Sequence, residues 1–157
     1  MKTRRGRGVE PIRAVNAFWD TSGIVLLCSL QPKSAPARQQ ARVHSRQVVW
    51  WATPIEALSA FHRLARESQL TKAELRQAFT RLEYLRARWS EIQPSEDARQ
   101  TAERLLARHK LRAADALQLA AALVWCGDRT RGRVFIGADS ILADAAEIEG
   151  FTVVRLI

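Results

Sequence analysis

The chain has 157 residues, 47% of them hydrophobic and 26% charged, a length and balance that fit one folded domain and exclude a disordered or disulfide-dense chain. No apolar run approaches the ~20 residues of a membrane-spanning helix, so no membrane partner is expected. Lys and Arg number 25 against 16 Asp and Glu, a net charge of +9, which favours polyanionic partners such as nucleic acid.

Residues 1–13 hold Lys2, Arg4, Arg5, Arg7 and Arg13 against Glu10. They read as a basic, flexible tail ahead of a domain over 14–157. This segment lacks the apolar stretch and small-residue cleavage site of a secretory signal, so a cytoplasmic protein is expected. The run VNAFW over 15–19 predicts a buried strand, followed by a helix over 21–30. Two prolines mark 31–37 as a loop, a polar helix over 38–46 follows, and 48–51 predicts a second buried strand. From 54 to 88 the apolar positions Ile55, Leu58, Phe61 and Leu64, then Leu75, Phe79, Leu82 and Leu85, recur at three and four. That period predicts a helical hairpin turning near 69–71. A strand over 90–92, helices over 95–109 and 113–126, a strand over 134–137, a helix over 140–149 and a strand over 152–156 complete the chain. Helices alternating with short apolar strands predict an α/β fold whose mostly parallel sheet of about five strands is flanked by helices.

Several residues have an ordinary reading. Cys28 and Cys126 lie far apart in apolar segments and read as reduced, buried thiols. His44, His62 and His109 are scattered without a metal-ligand spacing and read as surface residues. Trp50 and Trp51, adjacent in a strand, must point to opposite faces and so to core on both sides, and Trp19 also reads as core. Arg81, Glu83, Arg86 and Arg88 read as a solvated face, as do Asp144 and Glu147. No glycine-rich phosphate loop is present.

Four acids are less easily absorbed. In open parallel sheets, function collects beyond the carboxyl ends of the strands. Asp20 and Asp139 follow predicted strands, Glu56 follows the second strand by five residues, and Asp115 opens the otherwise apolar stretch LRAADALQLAAALVWC. Each has a local explanation. Asp20 and Asp139 fit helix N-caps, Thr53-Pro54-Ile55-Glu56 spells a capping box, and Asp115 fits a first-turn macrodipole partner. Capping gives no reason, however, for all four helix starts to face one end of one sheet. Four converging carboxylates repel one another unless a hard divalent cation such as Mg²⁺ or Mn²⁺ neutralises them. An acidic metal crevice on a basic protein suits phosphodiester hydrolysis, with Arg112, one turn from Asp115, as the candidate contact to substrate phosphate.

In this order, the segments FWDTSGIV, TPIEALSAF, LRAADALQLAAAL and FIGADSILADAAEIEGF resemble the PIN-domain ribonucleases, and among them the VapC-type toxins of bacterial toxin–antitoxin pairs. The resemblance spans about residues 15–157 and leaves the basic segment before them uncovered. It implies Asp20 and Asp115 as principal ligands of Mg²⁺ (or Mn²⁺), Glu56 and Asp139 completing the acidic set, and Ser22 supporting the site through a hydrogen bond. It further implies metal-dependent cleavage of RNA, homodimerisation, and inhibition by a cognate antitoxin whose tail packs over the crevice. Two other readings stay open on the sequence. One is a basic nucleic-acid-binding module without catalysis, which would bind equally well in EDTA. The other is a PIN-type nuclease of RNA processing or DNA cleavage with no toxin role.

Overall fold

Alternation of side chains lets each short strand serve two cores at once. In the computed structural model, which describes residues 16–157, β1 (Asn16–Trp19) turns Ala17 and Trp19 to one face of the sheet and Phe18 to the other. The strand β2 (Arg46–Trp50) divides Val49 from Val48 and Trp50, and β4 (Val134–Gly137) divides Ile136 from Phe135 in the same way. Both faces are therefore apolar and both are covered, as a parallel sheet requires. The helices α1 (Thr21–Cys28), α2 (Ser34–Val43), α3 (Thr53–Arg66) and α4 (Lys72–Arg86) pack on the Trp19 face through Ile24, Ala37, Phe61 and Leu82. The helices α5 (Glu96–Arg108), α6 (Ala113–Trp125) and α7 (Ser140–Ile148) cover the Phe18 face through Leu105, Leu119 and Ala146.

With β3 (Ser90–Ile92) and β5 (Thr152–Arg155), the described residues form a five-stranded, all-parallel sheet of order β3-β2-β1-β4-β5, flanked by seven helices. The chain steps outward from β1 to β3, then returns to the other side of β1 to build β4 and β5. The order thus reverses between β1 and β4, and the carboxyl ends of these two strands open the crevice typical of such a switch point. The predicted α/β class is what the chain adopts. Among the described residues no helix is long and apolar enough to cross a membrane. The basic tail assigned to residues 1–13 lies outside the described residues.

Several local expectations are corrected. The loop assigned to 31–37 ends early, because α2 starts at Ser34 with Pro36 in its first turn, where a missing N–H forfeits no intrahelical bond. Trp51 is not core. The strand β2 ends at Trp50 and the chain turns into α3, leaving the Trp51 ring 45% exposed at the edge of Trp50. Ile55, on the outer side of α3, is also exposed. His109 is not a surface residue: its side chain is 7% exposed, and Nε2 lies 2.7 Å from Glu149 Oε1. His44 is half-buried as well. Cys28 and Cys126 are free and buried, as read.

The capping box predicted at Thr53 does not form there. Ala52 precedes α3 without a side-chain cap. The box stands instead at the start of α4, where Thr71 Oγ1 accepts from Glu74 N (3.1 Å) and Glu74 Oε2 accepts from Thr71 N (3.3 Å). Thr71→Ala is expected to lower stability by about 1 kcal/mol, read as a shifted urea midpoint at constant slope. An unchanged midpoint would mean that these exposed bonds exchange with water at no cost.

Candidate metal and phosphodiester site

Asp20 is the acid most tightly held. It follows β1 directly, and its backbone N–H bonds Ile136 O (3.0 Å), so the end of β1 is tied to β4. Its Oδ1 caps α1 by accepting from Gly23 N (2.9 Å) and also accepts from Ser22 Oγ (2.6 Å). The side chain is only 1% exposed, and among the described residues its Oδ2 is buried without a hydrogen-bond partner. Burial pushes the carboxyl from 3.8 up to about 7, against the two bonds at Oδ1, and the nearby Asp139 and Asp115 add to the rise.

Ser22 connects the two strand ends. Besides donating to Asp20, its Oγ accepts from Ala138 N (2.8 Å) and Asp139 N (3.2 Å), stapling the start of α1 to the turn after β4. Asp139 caps α7, accepting from Leu142 N at 2.9 Å. Asp115 sits half-buried in the first turn of α6, its pKa raised by burial and by Asp139 and opposed by Arg112. Glu56 sits half-buried in the first turn of α3, raised by burial and then by Asp115, against hydrogen bonds from Gln118 and Thr21. All four acids line one crevice of about 510 Å³, together with Thr21, Ser22 and Gln118. Four helix N-termini therefore bring their positive ends toward the same carboxylates.

The first-turn threonine of α3 has a different task from the one its sequence context suggested. Thr53 is buried, and Gln118, 2% exposed, reaches across the carboxyl edge of the sheet toward it and its neighbours. Gln118 Nε2 lies 2.6 Å from Thr21 Oγ1, 3.4 Å from Thr53 Oγ1 and 3.3 Å from Glu56 Oε2. Thr21 Oγ1 in turn donates to Glu56 Oε2 at 3.2 Å. One side chain of α6 thus orients a carboxylate of α3 through α1. The sequence reading missed Gln118, although a lone polar residue in the run LQLAAAL was the available signal. It also missed Gly137, the last residue of β4. A Cβ there would lie 2.5 Å from Asp20 Cγ and 2.7 Å from Oδ1.

The donor set consists of hard oxygens, which suits Mg²⁺ or Mn²⁺. As the side chains are placed, no three His, Cys, Asp or Glu groups among the described residues stand close enough to close around one ion. The fit is therefore that of an ion keeping most of its waters and taking one or two carboxylates directly, as Mg²⁺ does. The buried, unpartnered Asp20 Oδ2 is the oxygen that such an ion would satisfy.

No known family profile matches the sequence, and no curated protein matches it. The fold is matched among solved structures. A chain of a toxin–antitoxin complex from Klebsiella pneumoniae superposes with a TM-score of 0.62 at 19% identity, covering 90% of this chain and 98% of that one. PAE2754 from Pyrobaculum aerophilum superposes with a TM-score of 0.60 at 17% identity, covering 91% of this chain and 92% of that one. At these identities the likeness is one of fold.

Proposed function

We propose that the protein is a Mg²⁺-dependent endoribonuclease of the PIN-domain kind and the toxin of a toxin–antitoxin pair, with Mn²⁺ as an alternative ion. The observation that carries this reading is the meeting of Asp20, Glu56, Asp115 and Asp139 from four helix starts in one crevice, with Asp20 Oδ2 buried and unpartnered. The fold shared with a chain of the Klebsiella pneumoniae toxin–antitoxin complex supports the toxin role and an antitoxin partner.

Asp20 and Asp115 are the principal ligands in this reading, and Glu56 and Asp139 complete the acidic set around the waters the ion keeps. A bound ion would supply a water of lowered pKa and neutralise charge on the phosphate. Ser22 and Gly23 hold Asp20 Oδ1, which leaves Oδ2 as its free ligand oxygen. Gln118 and Thr21 hold the Glu56 carboxylate, whose raised pKa suits it to accept the proton of the attacking water. Arg112 meets substrate phosphate beside Asp115. The working unit in this reading is a homodimer.

The test is cleavage of single-stranded RNA by folded parent and Asp115→Asn proteins, with Mg²⁺ and with EDTA. The variant is expected to lose at least about 10²-fold in rate, and EDTA to silence the parent. A folded Asp115→Asn protein as fast as the parent, or a parent indifferent to EDTA, would refute the nuclease reading. Growth arrest on expression of the protein alone, relieved by a small protein encoded beside it, is expected of a toxin. Its absence would leave a nuclease without a toxin role.

A further inference from the structure

Asp115 and Asp139 line two hollows at once. The first is the crevice of about 510 Å³, which runs from the acids along α3 to Lys33 and Arg63 over an apolar floor that includes Val25, Leu26 and Leu64. The second, about 760 Å³, leaves the same acids in another direction, past the starts of α6 and α7, and is lined by Lys110 and Arg112. All four cations are exposed, and among the described residues none forms an ion pair. They are therefore free to meet an anion, at two separate places flanking one acidic centre.

We propose that the two hollows are one track for single-stranded RNA. The scissile phosphodiester lies over the four acids, a backbone phosphate on one side meets Lys33 and Arg63, and a phosphate on the other side meets Lys110 and Arg112. The inference rests on the nuclease reading and adds to it the path the strand takes and the side chains that hold its flanking phosphates. On α3, Glu56 and Arg63 are seven residues apart, about 10 Å along the helix axis. Arg63 thus reaches a neighbouring phosphate, not the scissile one. The apolar floor between them is a surface for an unstacked base, which single strands present and duplexes withhold.

The experiment measures binding of a short single-stranded oligoribonucleotide to the folded Asp115→Asn protein by fluorescence anisotropy across a salt series. In that background, Lys33→Gln/Arg63→Gln and Lys110→Gln/Arg112→Gln are each expected to reduce the slope of log affinity against log salt by about 1.4, two contacts at ~0.7 each. Neutral methylphosphonate linkages in one half of the RNA are expected to erase the effect of one pair only, and linkages in the other half the effect of the other pair only. The track is overturned if neither pair changes the slope, if the same half of the RNA cancels both, or if duplex RNA binds as tightly. Cleavage by the parent with both pairs inert would overturn the track and spare the nuclease. A divided response without Mg²⁺-dependent cleavage would do the reverse.

Discussion

Asp20→Asn is expected to abolish divalent-ion binding and RNA cleavage while making the metal-free protein more stable above about pH 7. The two effects have one cause. The carboxyl is buried and raised from 3.8 to about 7, so the folded protein keeps a proton there over a range in which the unfolded chain has lost it. Stability from that proton is fully present below pH 3.8, declines as pH rises, and is gone above about 7. A rise of roughly three units corresponds to on the order of 4 kcal/mol, with Glu56 and Asp115 shifted in the same direction. Asparagine retains an Oδ1 for Ser22 and Gly23 but places an unpartnered N–H where Oδ2 was, at a cost of about 1–3 kcal/mol. The net gain expected at about pH 8 is therefore about 1–3 kcal/mol, and it turns into a loss of about 1–3 kcal/mol near pH 4, where the carboxyl no longer costs anything and the unpartnered amide still does. Urea unfolding in EDTA at the two pH values measures it. Added Mg²⁺ should stabilise the parent and leave the variant unmoved, since only a ligand bound to the folded state shifts the midpoint. A variant less stable than the parent at both pH values would show that the carboxylate is satisfied, and would remove the reason for a cation at Oδ2.

Gly137→Ala, a change of one methyl group at a site with no ionisable atom, is expected to damage the same function. The added Cβ would fall 2.5 Å from Asp20 Cγ, inside any real contact, and closer still to Oδ2. Neither partner yields easily. Asp20 is held by Ser22 and Gly23, and Gly137 pairs with Arg155 of β5 and accepts from Leu156 N at 2.9 Å. The carboxylate must turn away or the β1 and β4 ends must part, at a cost of about 1–3 kcal/mol of overpacking. A misplacement of about 1 Å at the reacting centre is worth roughly 10²-fold in rate. Urea unfolding, Mn²⁺ titration and RNA cleavage read the three consequences. Rate and ion affinity within about twofold of the parent would mean that Asp20 does not act from its observed position.

The elements were legible wherever one strand or helix face determines the pattern. The strands Ser90–Ile92 and Val134–Gly137 lie at their predicted bounds, and the helical hairpin turns where its apolar period breaks, between Arg66 and Lys72. The acids were legible too, because they stand at helix starts next to strand ends. For Asp20 the capping account and the crevice account are compatible, since Oδ1 caps α1 while Oδ2 has no hydrogen-bond partner among the described residues and the residue lines the crevice. What failed in the reading failed for want of neighbours. Thr53 carries a cap's sequence signature, yet its hydroxyl faces Gln118 from another layer. Trp51 is adjacent to a buried tryptophan, yet the sheet ends between them.

By itself, then, the sequence determined the α/β class, the order of the elements and the four carboxylates at helix starts. These follow from periodicity and from chemistry within a few residues along the chain. Only the tertiary structure decided that α6 sends Gln118 over the sheet edge to Glu56, that β4 needs a glycine where Asp20 lies, and that two hollows share Asp115 and Asp139. Each of these relations joins residues dozens of positions apart, and burial and hydrogen bonding between such residues depend on packing across the sheet, which no local pattern encodes.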